Sequence, residues 1–156
     1  MKRMTYSILL ITAFFLSACT NSEQNMEAII PDVIEVDIDI PETSSPNEKL
    51  AIPVHVSQGD EPVDDARDVV IEIWESEDRE NGFLEEAKLQ SDGLYQIDYT
   101  FSEDGIFLVQ AHVSARDMHS MPIQPIFVGD VSEDEINAFN EAGGVASEQQ
   151  GESKHH

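Results

Sequence analysis

A period-two alternation of apolar and polar residues, broken at short intervals by turn residues, is the pattern that most restricts this chain. Ile34, Val36, Ile38 and Ile40 alternate with Glu35, Asp37 and Asp39. Leu50, Ile52, Val54 and Val56 repeat the pattern, and so do Tyr95, Ile97, Tyr99 and Phe101, then Phe107, Val109, Ala111 and Val113. Side chains two apart on a strand point to the same face, so each run has one face for a core and one for solvent. Val69–Glu75, Leu84–Gln90 and Ser120–Val128 supply three more strands. Trp74 breaks the parity set by Ile71 and Ile73, which leaves the facing of that strand open. Asp92-Gly93 is the dipeptide of a tight hairpin turn. Seven strands in about a hundred residues predict an all-β, immunoglobulin-like seven-stranded antiparallel β-sandwich over residues 31–129. A small barrel is the rival architecture.

The chain carries a single cysteine, Cys19. No disulfide can therefore pin the two sheets, and no Cys-based metal cluster can form within one chain. Cys19 sits instead at the end of an export signal. Lys2 and Arg3 precede an apolar run from Tyr6 to Leu16, and Leu16-Ser17-Ala18-Cys19 reads as a lipobox. The apolar run is too short for an ordinary membrane-spanning helix. The expectation is a lipoprotein signal peptide over 1–18 and a lipidated Cys19. A flexible spacer over 19–30 would follow, with the protein held to the membrane on the outer face of the cytoplasmic membrane. Residues 130–156 read as an acidic C-terminal tail. Within it Ser132-Glu133-Asp134-Glu135 forms a capping box for a short helix bearing Ile136 and Phe139 and ended by Gly143 and Gly144. The remainder of that tail reads as disordered.

With 32 acidic against 8 basic residues, the formal net charge is −24. Such a surface repels nucleic acid and anionic lipid headgroups, so neither is an expected partner. There is no phosphate-cradling glycine loop and no nucleophile elbow. The expected class is a non-enzymatic binding or interaction module.

One stretch concentrates soft ligands. His112, Met118, His119 and Met121 lie within Ala111–Pro122. A hairpin with Arg116-Asp117 at its tip would pair His112 with Met121 and Ser114 with His119. His112, His119 and Met121 would then share one face, with Met118 pointing away. Imidazole with thioether is a set that Cu(I) accepts. Packing at a strand end is the other reading of the same residues. Arg116-Asp117 is moreover poor chemistry for a two-residue turn, which prefers Asn-Gly or Asp-Gly. His55 falls on the outward face of the opposite sheet.

His112-Val-Ser-Ala-Arg-Asp-Met-His-Ser-Met-Pro122, with Ile71-Glu-Ile-Trp74 and Ser91-Asp-Gly-Leu-Tyr95, resembles the YtkA-like domain, related to FixH-type proteins, over about Glu48 to Gly129. The resemblance implies an exported, lipid-anchored immunoglobulin-like domain. Through FixH it implies copper handling and respiratory-oxidase assembly, with His112, Met118, His119 and Met121 as metal ligands. Relatives carry a histidine where this chain has Gly82-Phe83-Leu84, so a further ligand here would come from Glu85 or Glu86. The alternative is a metal-free interaction module of a cell-surface complex, with a membrane-protein partner.

The lipobox reading generates a direct expectation. Cells fed labelled palmitate should incorporate it into the wild-type protein and not into Cys19→Ala. The variant should leave the membrane fraction, and label retained by the variant would place the modification elsewhere.

Overall fold

The computed structural model describes residues 32–146. The signal segment, Cys19, the spacer and residues 147–156 lie outside the described residues. In chain order the strands are β1 (Ile34–Ile38), β2 (Thr43–Ser44), β3 (Lys49–Gln58), β4 (Glu61–Pro62), β5 (Asp68–Glu75) and β6 (Phe83–Glu86). They continue with β7 (Lys88–Ser91), β8 (Leu94–Thr100), β9 (Gly105–Ala115), β10 (Met118–Ser120) and β11 (Ile123–Val128), and helix α1 (Glu133–Glu141) follows. One sheet has the order β1-β3-β8-β7, with β4 on the end of β3. The other has the order β2-β11-β9-β5-β6, with β10 on the end of β9. All pairs are antiparallel except the short parallel contact of β2 with β11. This is the expected immunoglobulin-like sandwich, with the chain beginning in one sheet at β1 and touching the other at β2.

The alternating residues form the core between the sheets. Ile52, Val54 and Val56 of β3 and Tyr95 and Ile97 of β8 face Ile71 and Ile73 of β5 and Val109, Ala111 and Val113 of β9. The expected fourth strand, Leu84–Gln90, is two strands on different sheets. The chain crosses between them at Ala87, which is buried and donates its N–H to Val69 O at 2.8 Å. The last strand is likewise interrupted at Met121-Pro122, because proline has no N–H to give to the ladder. Its register is nevertheless continuous, as the bond from Ala111 N to Pro122 O at 3.1 Å shows.

Asp92-Gly93 makes the expected turn, with φ values of 52° and 72°. A Cβ at Gly93 would collide with Val56 O. Around this turn Gly93 N donates to Asp64 Oδ1 at 2.6 Å. The buried Tyr95 hydroxyl donates to Val63 O at 3.0 Å and accepts from Ala66 N at 3.2 Å. Burial pushes the Tyr95 phenol above its ordinary value. Hydrogen bonds thus fasten the segment 63–66, which carries the chain from one sheet to the other, to the start of β8.

Trp74 resolves its ambiguous parity by facing away from the core. It forms a second apolar cluster with Leu108 and Phe139, flanked by Ile106, Ile123 and Val145. Helix α1 begins with the expected capping box, in which Glu135 N donates to Ser132 Oγ and Ser132 N donates to Glu135 Oε2. The Ser132 hydroxyl also donates to Glu135 Oε2 at 2.6 Å, and this bond together with the one from Ser132 N holds the Glu135 carboxyl below its ordinary value. Nine residues make a helix that is marginal alone. Its one buried residue, Phe139, is what seats it on the sandwich.

Phe139→Ala should release α1 while leaving the sheets folded. Trp74, the chain's only tryptophan, would report it. Its emission should shift to the red and the helical circular-dichroism signal should fall, with a cooperative β-sheet transition retained. An unchanged emission maximum would mean that the helix is held by other contacts.

Candidate metal centre on the outer sheet face

The β9–β10 hairpin closes on Arg116-Asp117, both with positive φ, at 50° and 62°. That is the two-residue turn the sequence chemistry disfavours, since side chains other than those of Gly, Asn or Asp strain this region. Arg116 is held from outside the hairpin. Its Nη1 donates to Gln58 Oε1 at 2.7 Å, and its Nε lies 3.5 Å from Asp65 Oδ1. Met118 turns inward and packs against the core, so it does not join the other three candidate residues.

No bulge disturbs the hairpin. Ser114 opposes His119 and Val113 opposes Ser120, and the same register resumes with Gln110 opposite Ile123. Met121 therefore stands opposite His112. On this outer face the structure lays out three adjacent rows. Asp68, Ser114 and His119 form the outermost. Glu86, Val70, His112 and Met121 form the next, and Leu84, Glu72, Gln110 and Ile123 the third. Opposed Cβ atoms on one face lie roughly 4.5–5.5 Å apart and diagonal ones about 7–8 Å. His112, His119 and Met121 are thus neighbours, with Met121 47% exposed and His119 exposed.

Neither carboxylate expected as a further ligand joins them. Glu85 opposes Ile71, on the other parity. Glu86 shares the row of His112, but Val70 of β5 stands between them, and two strand spacings amount to about 10 Å. His55 is exposed on β3, in the other sheet.

A buried polar network adjoins the three residues, and sequence reasoning missed it. Glu72 is 8% exposed and Gln110 2%. Arg79, from the loop after β5, donates through Nε to Glu72 Oε1 at 3.0 Å and through Nη2 to Glu72 Oε2 at 2.7 Å. Nη2 also donates to Gln110 Oε1 at 2.6 Å, and the guanidinium stacks 4.5 Å from the Trp74 ring centroid. The network reaches two of the candidate ligands. His112 Nε2 lies 2.8 Å from Glu72 Oε2, and Gln110 Nε2 donates to Met121 O at 3.4 Å. His119 Nδ1 pairs with Ser114 Oγ at 2.9 Å. The one signal in the sequence was a glutamate inside Ile71-Glu-Ile-Trp74, at a position where the flanking residues call for a strand covered on both faces.

Burial alone would raise the Glu72 carboxyl. The hydrogen bonds from Arg79 and His112, and their charge, outweigh it and hold the group below its ordinary 4.5. Among the described residues no three His, Cys, Asp or Glu side chains are placed to share a metal ion. On this face the third soft donor beside the two imidazoles is the Met121 sulfur. A cleft of about 410 Å³ between α1 and the start of β9 offers Glu75, Glu77, Asp104 and Glu135 and no imidazole.

A carboxyl whose folded pKa is depressed contributes stability above its unfolded value and loses that contribution as pH falls through the folded value. Glu72→Gln should therefore lower stability at neutral pH by on the order of 2 kcal/mol, as a partly covered ion pair loses one member. It should also flatten the acid limb of the stability curve below pH 4.5. Urea denaturation at pH 7 and at pH 3 checks both, and an identical pH dependence in the two proteins would remove Glu72 from the acid transition.

Among curated proteins none matches the chain. Several solved structures share parts of the fold. A mutant Salmonella alpha-2-macroglobulin aligns at 15% identity and TM-score 0.48, covering 64% of this chain and 6% of that one, so the match is to a small part of a much larger protein. The superoxide reductase (neelaredoxin) of Ignicoccus hospitalis aligns at 10% identity and TM-score 0.45, covering 64% and 82%. The Lin-41 filamin domain aligns at 12% and 0.43, covering 62% and 91%. The YtkA-like family model matches residues 30–112. It starts earlier than the expected Glu48 and stops at His112, so Met118, His119 and Met121 lie beyond the matched segment. From β1 through most of β9, more than half its length, this chain belongs to the YtkA-like family.

Proposed function

We propose that the chain is an exported lipoprotein whose YtkA-like domain binds copper, as Cu(I), through His112, His119 and Met121. The domain would stand off the outer face of the cytoplasmic membrane on lipidated Cys19. The observation that carries the metal reading is the unbroken β9–β10 register, which gathers two imidazoles and a thioether on one exposed sheet face. The donor set fits the ion. Nitrogen and thioether donors without thiolate or carboxylate suit a soft monovalent metal better than Zn²⁺ or Mg²⁺. The nearest buried carboxylate, Glu72, is already occupied by Arg79.

Met118 is left out of this set because it fills the space beneath the hairpin. Three ligands on an exposed ribbon make a site that exchanges its cargo with a partner, which accords with copper delivery to a membrane complex such as a respiratory oxidase under assembly. Holding and releasing copper by ligand exchange needs no catalytic group.

Anaerobic titration of the protein with Cu(I) against a chromogenic chelator tests the reading. One equivalent should bind, and His112→Ala and Met121→Ala should each weaken binding about tenfold or more, whereas Met118→Leu, a volume-conserving change beneath the hairpin, should leave it unaltered. Circular dichroism must show each variant folded. A folded wild-type protein that does not compete for Cu(I) would overturn the metal reading and leave the metal-free interaction module.

A further inference from the structure

We infer that Glu72 is a positioning residue that fixes which nitrogen of His112 faces the metal: His112 binds through Nδ1, while His119 binds through Nε2. The inference rests on the copper reading above and deepens it.

A carboxylate can only accept hydrogen bonds. The 2.8 Å contact between His112 Nε2 and Glu72 Oε2 therefore places the ring proton on Nε2. In the neutral ring that leaves the lone pair on Nδ1, and a metal takes the nitrogen bearing the lone pair. Glu72 is not itself free to turn toward the ion, because Arg79 grips both of its oxygens at 3.0 and 2.7 Å. For His119 the roles are reversed. Its Nδ1 is taken up by Ser114 Oγ at 2.9 Å, so Nε2 is the nitrogen left to the ion when Nδ1 carries the proton and Ser114 accepts it.

The same network steadies the third donor. Arg79 Nη2 orients Gln110 through Oε1, and Gln110 Nε2 reaches the Met121 carbonyl. A hydrogen bond from a ligand histidine to a carboxylate is a recurring way of fixing ring orientation and raising ligand basicity. Here one carboxylate serves that purpose while its own charge is matched by a guanidinium. The selectivity follows, because Glu72 supports the imidazole without presenting a hard oxygen to the ion, which favours a monovalent soft cation over a divalent one.

The test uses the full-length protein labelled with [15N]histidine in micelles, with Ag(I) as the diamagnetic probe. Resonances are assigned through His112→Asn and His119→Asn. Before the probe is added, His112 should show a protonated Nε2 and an unprotonated Nδ1. Ag(I) should shift His112 at Nδ1 and His119 at Nε2. Glu72→Ala should mix the His112 tautomers and weaken Ag(I) binding about tenfold or more, whereas Glu72→Gln, which keeps an acceptor, should preserve the tautomer. A purely structural glutamate would affect stability without moving the tautomer. A shift of His112 at Nε2, or a proton on Nδ1 in the free protein, overturns this inference and leaves copper binding standing. No shift of either histidine overturns both.

Discussion

Strands β5 and β9 lie in the middle of their sheet, and most of the structure follows from how their two faces are covered. Toward the other sheet the demand is met simply, by Ile71 and Ile73 against Val109, Ala111 and Val113. Toward the outside there is no third layer of sheet, so the face is covered in three different ways along its length. At one end α1 lowers Phe139 onto Trp74 and Leu108. In the middle Arg79 folds back over Glu72 and Gln110. At the hairpin end nothing covers the face among the described residues, and His112, His119 and Met121 remain there. The candidate site is thus the uncovered end of a face that is covered elsewhere along β5 and β9, in one part by apolar contact and in another by matched polar groups.

The middle part is the costly one. A glutamate and a glutamine under a guanidinium give up water on all sides, and such groups stabilise a fold only when their hydrogen-bonding capacity is met. Among the described residues no buried side-chain nitrogen or oxygen lacks a partner. Replacing the network by aliphatic side chains would serve stability as well or better on general grounds. Its presence beside a pair of histidines is the reason to look for a role in orienting them, because an apolar patch could cover the strand but could not hold an imidazole in one tautomer.

Much of this was legible in the residues. The alternation in β3, β8 and β9 fixes their faces, Asp92-Gly93 fixes its hairpin, and Ser132 with Glu135 fixes where α1 starts. What escaped depends on contacts between distant parts of the chain. The parity of Trp74 is decided by Phe139, some sixty residues later. The crossing of the chain at Ala87 is invisible in the pattern Leu84–Gln90, because a strand that changes sheets exposes both its faces in turn. The turn at Arg116-Asp117 breaks local preference, and its explanation lies in Gln58 and Asp65, which belong to other strands and loops. The pairing of Arg79 with Glu72 is of the same kind, since a charged loop carries no sign of which buried group it will cover.

The Ala115-Arg-Asp-Met-His119 stretch shows why a motif should not be given one role. Arg116 ties the hairpin tip to the other sheet and Met118 plugs the core beneath it, and both tasks are architectural. They nevertheless hold His119 at a fixed place on the outer face, opposite Ser114 and diagonal to His112. A strained turn is retained only where surrounding contacts over-determine it, and here those contacts fix the hairpin register without a bulge. A one-residue slip would send His119 and Met121 into the core and bring Met118 to the surface. The architectural residues of the motif therefore decide whether His112, His119 and Met121 share a face at all, and the candidate ligands are the ones those contacts leave on the outer side.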